Sequence, residues 1–410
     1  MRRIMILTLT FFLLFPDGVI GNAPSKAAFV RDGNVFTLLD GQEMQITLSG
    51  TVHGTPQWSH DGMWILYELT APSEVGKEVQ NELWVYNIGN SMNKKIFYDG
   101  YEPKWSPINN MVSFLQRDTL DLSDMKSFYN IASGVSSYSW LRDGSGFLLS
   151  SQATLHPDGW SNPKLYTKTF SFPLDNLSET KNVKSFFTIP KNVGDNNSEI
   201  QSIDVSHLRF SPSKKWISFI VSPTASWSMD SNMLSVISQK GEDFQVLGEV
   251  IFGVGEPKWA PNEDKLAYIA GGGRIVFGFT NKKLKTKEFP AFRGITPETF
   301  SELDFTWVND DTLVTSRVKE KEWSNDFSLH PLPSLYQISL QTTVQEQITE
   351  PPKLFGDYNP QYLSSSRQLL WFRGKSITDE NRDVWLAEED GKNPRKWLEN
   401  VSVISVYEKR

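Results

Sequence analysis

Seven times along this chain a polar or prolyl lead-in precedes an aromatic residue, a polar turn and an apolar run. The pattern reads Pro56-Gln57-Trp58-Ser59-His60-Asp61-Gly62, then Pro103-Lys104-Trp105-Ser106-Pro107, then Tyr138-Ser139-Trp140-Leu141-Arg142-Asp143-Gly144. It returns as Leu208-Arg209-Phe210-Ser211-Pro212, Pro257-Lys258-Trp259-Ala260-Pro261, Phe305-Thr306-Trp307-Val308-Asn309 and Pro360-Gln361-Tyr362-Leu363. The aromatics stand at 58, 105, 140, 210, 259, 307 and 362, so the gaps are 47, 35, 70, 49, 48 and 55 residues. A unit of this length is one small sheet, which buries its two faces only by stacking on copies of itself.

Each unit holds further short β-branched and aromatic runs separated by turns, such as Glu82-Leu83-Trp84-Val85-Tyr86, Lys164-Leu165-Tyr166, Ser334-Leu335-Tyr336-Gln337-Ile338 and Asp383-Val384-Trp385-Leu386. Long helical periodicity is missing. The chain therefore reads as all-β: a single β-propeller of four-stranded blades. The 70-residue gap contains polar stretches at 175–184 and 191–198 that read as an insertion in one blade, and the 35-residue gap predicts a trimmed blade. Three strand-like runs, 27–31, 34–39 and 43–48, precede the first full repeat, and one, 401–407, follows the last. Three plus one make a composite blade from both ends of the chain, which closes the ring and removes a free edge. The expected count is eight blades, with seven as the alternative, over residues 27–410.

The N-terminus reads as an address. Two arginines, Arg2 and Arg3, precede the uncharged run 4–15, and Gly21-Asn22-Ala23 offers small residues for cleavage. That describes a secretory signal over residues 1–23. An uncleaved anchor is the alternative, although twelve residues fall short of the roughly 20 that span a bilayer. The expected location is extracellular or at the cell envelope, periplasmic where the source has two membranes. The chain has no Cys, so it has no disulfide and no lipid-attachment thiol. Its 41 Lys and Arg against 48 Asp and Glu give −7, with no electrostatic footprint for nucleic acid.

The repeats resemble the TolB-like propeller family, whose consensus is x-Pro-x-Trp-Ser-Pro-Asp-Gly followed by an Ile-Ala-Phe strand. Trp58-Ser59-His60-Asp61-Gly62 and Trp105-Ser106-Pro107 carry the best matches, and the resemblance covers essentially the whole chain after the leader. It implies an exported propeller. TolB itself carries an α/β domain ahead of its propeller, and the prolyl-oligopeptidase-like proteases fuse theirs to a hydrolase. Here the repeats are expected to occupy the chain from just after the leader, which points away from a Tol–Pal role and from a built-in hydrolase.

Catalytic motifs are sparse. The nucleophile elbow Gly-x-Ser-x-Gly, the zinc motif His-Glu-x-x-His and the phosphate-binding Gly-x-x-x-x-Gly-Lys are absent. Five histidines, His53, His60, His156, His207 and His330, with no Cys make a zinc site unexpected. Gly271-Gly272-Gly273 reads as a hairpin turn. Trp160 in His156-Pro157-Asp158-Gly159-Trp160 is either a packed turn residue or a platform for a sugar, and Asn309-Asp310-Asp311 and Asn262-Glu263-Asp264 read as turn chemistry ahead of calcium loops. No catalytic residue, metal site or cofactor is expected.

One constellation stands out. Three residues before each repeat aromatic stand Thr55, Glu102, Ser137, His207, Glu256, Asp304 and Asn359. One residue before it stand Gln57, Lys104, Ser139, Arg209, Lys258, Thr306 and Gln361. The residue between the two is uncharged in all seven repeats, so the pattern has the period of a strand. If this is the innermost strand, an acidic ring (Glu102, Glu256, Asp304, with His207) and a basic ring (Lys104, Arg209, Lys258) line the central channel. Either the rings neutralise each other, or they form a ligand site at the mouth. The expected function is a monomeric, non-catalytic binding or scaffold protein for a protein, peptide or envelope glycan. The alternatives are a polysaccharide lyase or glycoside hydrolase using channel carboxylates such as Glu102 and Glu256, and an accessory subunit of a secreted hydrolase.

Overall fold

The computed structural model describes residues 23–48, 51–73, 78–171, 174, 181–194, 198–224, 231–273, 279–288 and 291–409. All of the expected leader, residues 1–23, except its last residue lies outside them, as does the run after Gly271-Gly272-Gly273 from 274 to 278. Eight four-stranded antiparallel sheets follow one another around a ring. Blade 1 is Thr51–Trp58, Trp64–Pro72, Val79–Asn87 and Met92–Phe97. The inner strands of blades 2 to 7 are Tyr101–Trp105, Ser137–Trp140, Asp204–Phe210, Lys258–Trp259, Phe300–Asn309 and Gly356–Leu363. Blade 8 is the composite one: Val403–Val406 forms its inner strand, beside Lys26–Arg31, Asn34–Leu39 and Gln42–Gln45. Eight blades, not seven, close the ring.

Burial explains which strand sits where. Second strands such as Gly146–Ser150 and Lys265–Ala270 are buried at every residue, because a neighbouring blade covers each face. Such strands are near-continuous apolar runs, as in any sheet covered on both sides. Outer strands are the polar ones; Gln42–Gln45 is exposed throughout. A short, polar outer strand resists edge-to-edge pairing. The core is accordingly divided into layers between blades. One layer joins Leu66, Leu83 and Val85 of blade 1 to Trp105, Val112 and Phe114 of blade 2; another joins Val314 and Leu335 of blade 6 to Leu369 and Trp371 of blade 7.

The repeat turn has a chemical reason. In blade 1, Ser59 Oγ donates to Asp61 Oδ1 at 2.6 Å, Met63 N donates to the same oxygen at 3.0 Å, and Trp64 N donates to Ser59 Oγ at 3.0 Å. The Gly62 that follows has φ +65°, and a Cβ there would lie 2.5 Å from the Tyr407 ring. The turn glycine is thus also where the C-terminal segment packs.

The two irregular gaps have simple causes. Blade 2 keeps all four strands, ending with Val112–Gln116, Thr119–Ser123 and Phe128–Ser133, and is short because its connections are tight. The 70-residue gap holds two extra hairpins, Leu155–His156 with Gly159–Trp160 and Asn192–Gly194 with Glu199–Gln201, beside a fourth strand at Val183–Thr188. Of the expected polar insertion, residues 175–180 and 195–197 lie outside the described residues.

The clasp gives the first prediction. Ile404, 3% exposed, is the buried side chain of the closing strand and pairs with Phe29. Ile404→Ala is expected to cost about 2–5 kcal/mol, measured by chemical denaturation, with unfolding starting at blade 8 in hydrogen exchange.

Candidate functional site at the channel mouth

The inner strands of blades 1 and 2, 3 and 4, 6 and 7, and 8 and 1 pack against one another. The predicted alternation is visible in their burial: Pro56, Pro103, Tyr138, Leu208, Pro257, Phe305 and Pro360 are all buried, while Thr55, Glu102, Glu256 and Asn359 are exposed and His207 and Asp304 half-buried. Ser137 departs from the pattern and is buried. Pairing with the second strand slips at this point in blades 1, 2, 4, 6 and 7. Such bulges re-aim side chains. Glu102 (φ 51°), His207 (φ 56°) and Asn359 (φ 50°) hold the left-handed conformation there, which costs a non-glycine residue free energy and recurs where side-chain direction matters.

The charged residues come together, but chiefly across blade boundaries rather than along one strand. Arg209 Nη2 of blade 4 donates to Glu256 Oε2, on the approach to the inner strand of blade 5, at 2.6 Å, and His207 Nε2 lies 3.5 Å from Glu256 Oε1. Lys258 Nζ of blade 5 is 3.1 Å from Asp304 Oδ1 of blade 6 and also donates to the Phe305 carbonyl. Asn359 Nδ2 of blade 7 donates to Asp304 Oδ2 at 3.2 Å, and Arg382 Nη1 donates to Asn359 Oδ1 at 3.2 Å. An unbroken polar belt thus crosses blades 5 to 7, and a second group joins blades 4 and 5. On the opposite arc, Lys104 Nζ donates to the Tyr138 carbonyl at 2.6 Å and lies 3.9 Å from Glu102.

Electrostatics follow from these partners. Hydrogen bonding to His207, aided by the charges of Arg209, His207 and Lys258 and opposed by desolvation, holds the Glu256 carboxyl down to about 2. Burial pushes the Lys104 ammonium below the ordinary lysine value; Glu102 opposes this and Arg209 adds to it. Burial raises the Glu68 carboxyl, against a hydrogen bond from Asn81, and the nearby Glu102 charge raises it further.

Sequence reasoning missed four participants. Phe252 stacks on the His207 ring at 5.3 Å and is 40% exposed beside the mouth. Arg382 comes from a third strand, Glu68 from a second, and neither carries a repeat signature. The fourth is the indole N–H. Trp105 Nε1 donates to the Gln57 carbonyl at 3.0 Å while Gln57 Nε2 donates to the Pro103 carbonyl at 2.8 Å. Trp307 and Lys258 form the same reciprocal lock, Trp307 Nε1 to the Lys258 carbonyl at 3.0 Å. Trp58 Nε1 donates to Ser405 O of the composite blade at 3.3 Å, and Trp259 Nε1 to Ser218 Oγ at 2.9 Å. The repeat aromatics are therefore inter-blade spacers, Trp105, Trp140 and Trp307 buried and Trp58, Phe210, Trp259 and Tyr362 half-buried.

The acidic turns are occupied by neighbours. Asp310 accepts from Asn262 N at 2.8 Å and Glu263 N at 3.1 Å, and Asp311 accepts from Lys265 at 3.0 Å. Among the described residues no group of three or more His, Asp or Glu is arranged to hold a metal ion. Trp160 is half-buried in its two-stranded hairpin.

No protein-family model and no curated protein matches this sequence. Solved structures do. A eukaryotic initiation factor aligns over 93% of this chain and 87% of its own at TM-score 0.58 and 10% identity. Dipeptidyl peptidase 4 of Porphyromonas gingivalis aligns over 93% of this chain and 60% of its own at TM-score 0.56 and 10% identity. A puromycin-hydrolysing peptidase of Mycobacterium tuberculosis aligns over 86% of this chain at TM-score 0.50 and 10% identity, and the present chain spans 54% of its length. At such identity the likeness establishes the propeller fold and nothing about activity.

Two predictions follow from this geometry. Trp105→Phe removes the hydrogen bond to the Gln57 carbonyl, whereas Trp140 Nε1 has no partner to lose. Trp105→Phe is therefore expected to destabilise by about 1 kcal/mol more than Trp140→Phe in paired denaturant titrations. For pH, the Glu256 carboxyl titrates near 2 when folded against 4.5 ordinarily. A depressed carboxyl contributes stability that is complete above the higher value and is lost as pH falls through the window toward the lower. Glu256→Gln is expected to flatten the fall in melting temperature between those pH values relative to the unchanged protein.

Proposed function

We propose that this chain is an exported TolB-like propeller that acts by binding, using the channel mouth and its loops to hold a protein, peptide or envelope glycan. The supporting observation is how the channel charges are used. Glu102, His207, Glu256, Asp304, Lys104, Arg209 and Lys258 are the proposed ligand contacts, and most are oriented by a partner on the next blade. A carboxylate held near 2 by its neighbours is a poor proton donor and a weak base at neutral pH. The same arrangement is a preorganised array of alternating charge beside an exposed aromatic, Phe252, which suits recognition of a polar chain. Among the described residues no helix is long and apolar enough to cross a membrane.

One observation favours a second reading, a polysaccharide lyase or glycoside hydrolase. Glu68 is raised by burial while its neighbour Glu102 is half-exposed, and carboxylates in contrasting environments divide acid and base roles.

The experiment is binding of the purified protein to envelope glycans and to culture-supernatant proteins, beside a Glu102→Gln/Glu256→Gln/Asp304→Asn variant. Binding lost in the folded variant is the expected result; equal binding in both overturns the mouth as the site. Bond cleavage in any polysaccharide that Glu68→Gln abolishes replaces the binding reading with the enzymatic one.

A further inference from the structure

The boundary between blades 3 and 4 differs from its neighbours in its spacer. The repeat aromatic is Trp in blades 1, 2, 3, 5 and 6, Tyr in blade 7 and Phe210 in blade 4. Phenylalanine is one ring smaller than tryptophan and has no N–H to send to the blade before it. At this boundary a cleft of about 220 Å³ stands open, and Phe210 lines it. Leu141 and Phe186 of blade 3 line it with Phe210 and Ile217 of blade 4. Ile217 is 1% exposed and belongs to the apolar layer in which Phe186 and Phe210 are packed, so the floor is preformed.

The rim is charged. Arg142 and Lys214 line it with Asp143, all three exposed. Arg142 Nη1 donates across the boundary to the Pro212 carbonyl at 3.2 Å, which anchors the guanidinium at the opening. Asp143 is engaged inside its own turn, where Oδ1 accepts from Ser145 N at 3.0 Å and from Ser145 Oγ at 2.6 Å. The Ser145 hydrogen bonds and the Lys214 charge keep Asp143 ionised, so the two cations outnumber the one carboxylate and leave the rim net positive. Leu141, Arg142 and Asp143 lie in the turn between the first two strands of blade 3, and Lys214 in the matching turn of blade 4. Those turns follow directly on the repeat aromatics Trp140 and Phe210, and the cleft they frame lies at the blade boundary.

We propose that this cleft binds a small aryl carboxylate, its ring system seated where the other blades place an indole and its carboxylate held by Arg142 and Lys214. The volume sets the size: pockets for drug-sized ligands run from about 300 Å³ upward, so about 220 Å³ takes one ring system with a short acid arm. The apolar floor supplies the burial, and the cationic rim supplies charge-assisted hydrogen bonds that select the acid over a neutral ring. The cleft shares no lining residue with the channel mouth and does not depend on what binds there.

The test is titration of the full-length purified protein with phenylacetate and indole-3-acetate, and with neutral indole as control, followed by ligand-detected NMR and calorimetry at low salt. Both acids are expected to bind saturably, and indole at least about fivefold more weakly. Phe210→Trp installs the residue that other blades use; it is expected to abolish binding while leaving the melting temperature equal or higher. Should that variant unfold, Arg142→Gln/Lys214→Gln on the exposed rim decides the matter: it is expected to weaken the acids by about fivefold and leave indole unchanged. Absence of saturable binding up to about ten millimolar, or acid binding unaffected in the rim variant or in a folded Phe210→Trp protein, overturns the proposal.

Discussion

The indole N–H that crosses to the blade before it is the contact that locks several joints of this ring. Each blade is a small sheet whose two faces are apolar, and hydrophobic contact alone would let neighbouring sheets slide. A hydrogen bond from a rigid aromatic to a backbone carbonyl fixes both spacing and register. Where the residue before the aromatic reciprocates, as Gln57 and Lys258 do, the joint is held from both sides. The final joint, Trp58 to Ser405, uses the same contact to bind the first blade to the composite one. The closure is therefore chemically the same kind of joint as those inside the ring.

That architecture explains why charge collects on the axis. Residues beside the repeat aromatic point inward, where neighbouring inner strands converge. Unpaired charges there would repel at close range and lose hydration. Pairing across blade boundaries answers this, because the nearest opposite charge belongs to the next strand. The bulges at Glu102, His207 and Asn359 turn side chains toward these partners at the expense of regular pairing. The same charges, Arg209, Glu256, Lys258 and Asp304 among them, hold the blades together and shape the mouth.

The departures from the repeat carry the individuality of the molecule. Blade 3 bears two added hairpins, blade 7 lends Arg382 to the axis, and blade 4 replaces the indole with a phenyl ring. Each change is small in sequence and local in structure. Solenoid-like rings tolerate such changes because every blade contacts only its neighbours.

The seven repeat motifs determined the all-β class, the four-stranded unit, the composite closing blade and the inward position of the polar residues flanking each aromatic. Those features are local: strand period, turn chemistry at Ser59 and Asp61, and spacing between aromatics are all written in nearby residues. Tertiary structure alone decided that Arg209 takes Glu256 and Lys258 takes Asp304, since partners some 47 residues apart meet only when blades stack. It likewise decided which indoles find an acceptor and which, like Trp140, do not. Arg382, Phe252 and Glu68 lie outside the repeat register, so no pattern announced them, and the cleft beside Phe210 exists only because two blades meet around a ring too small to fill the space.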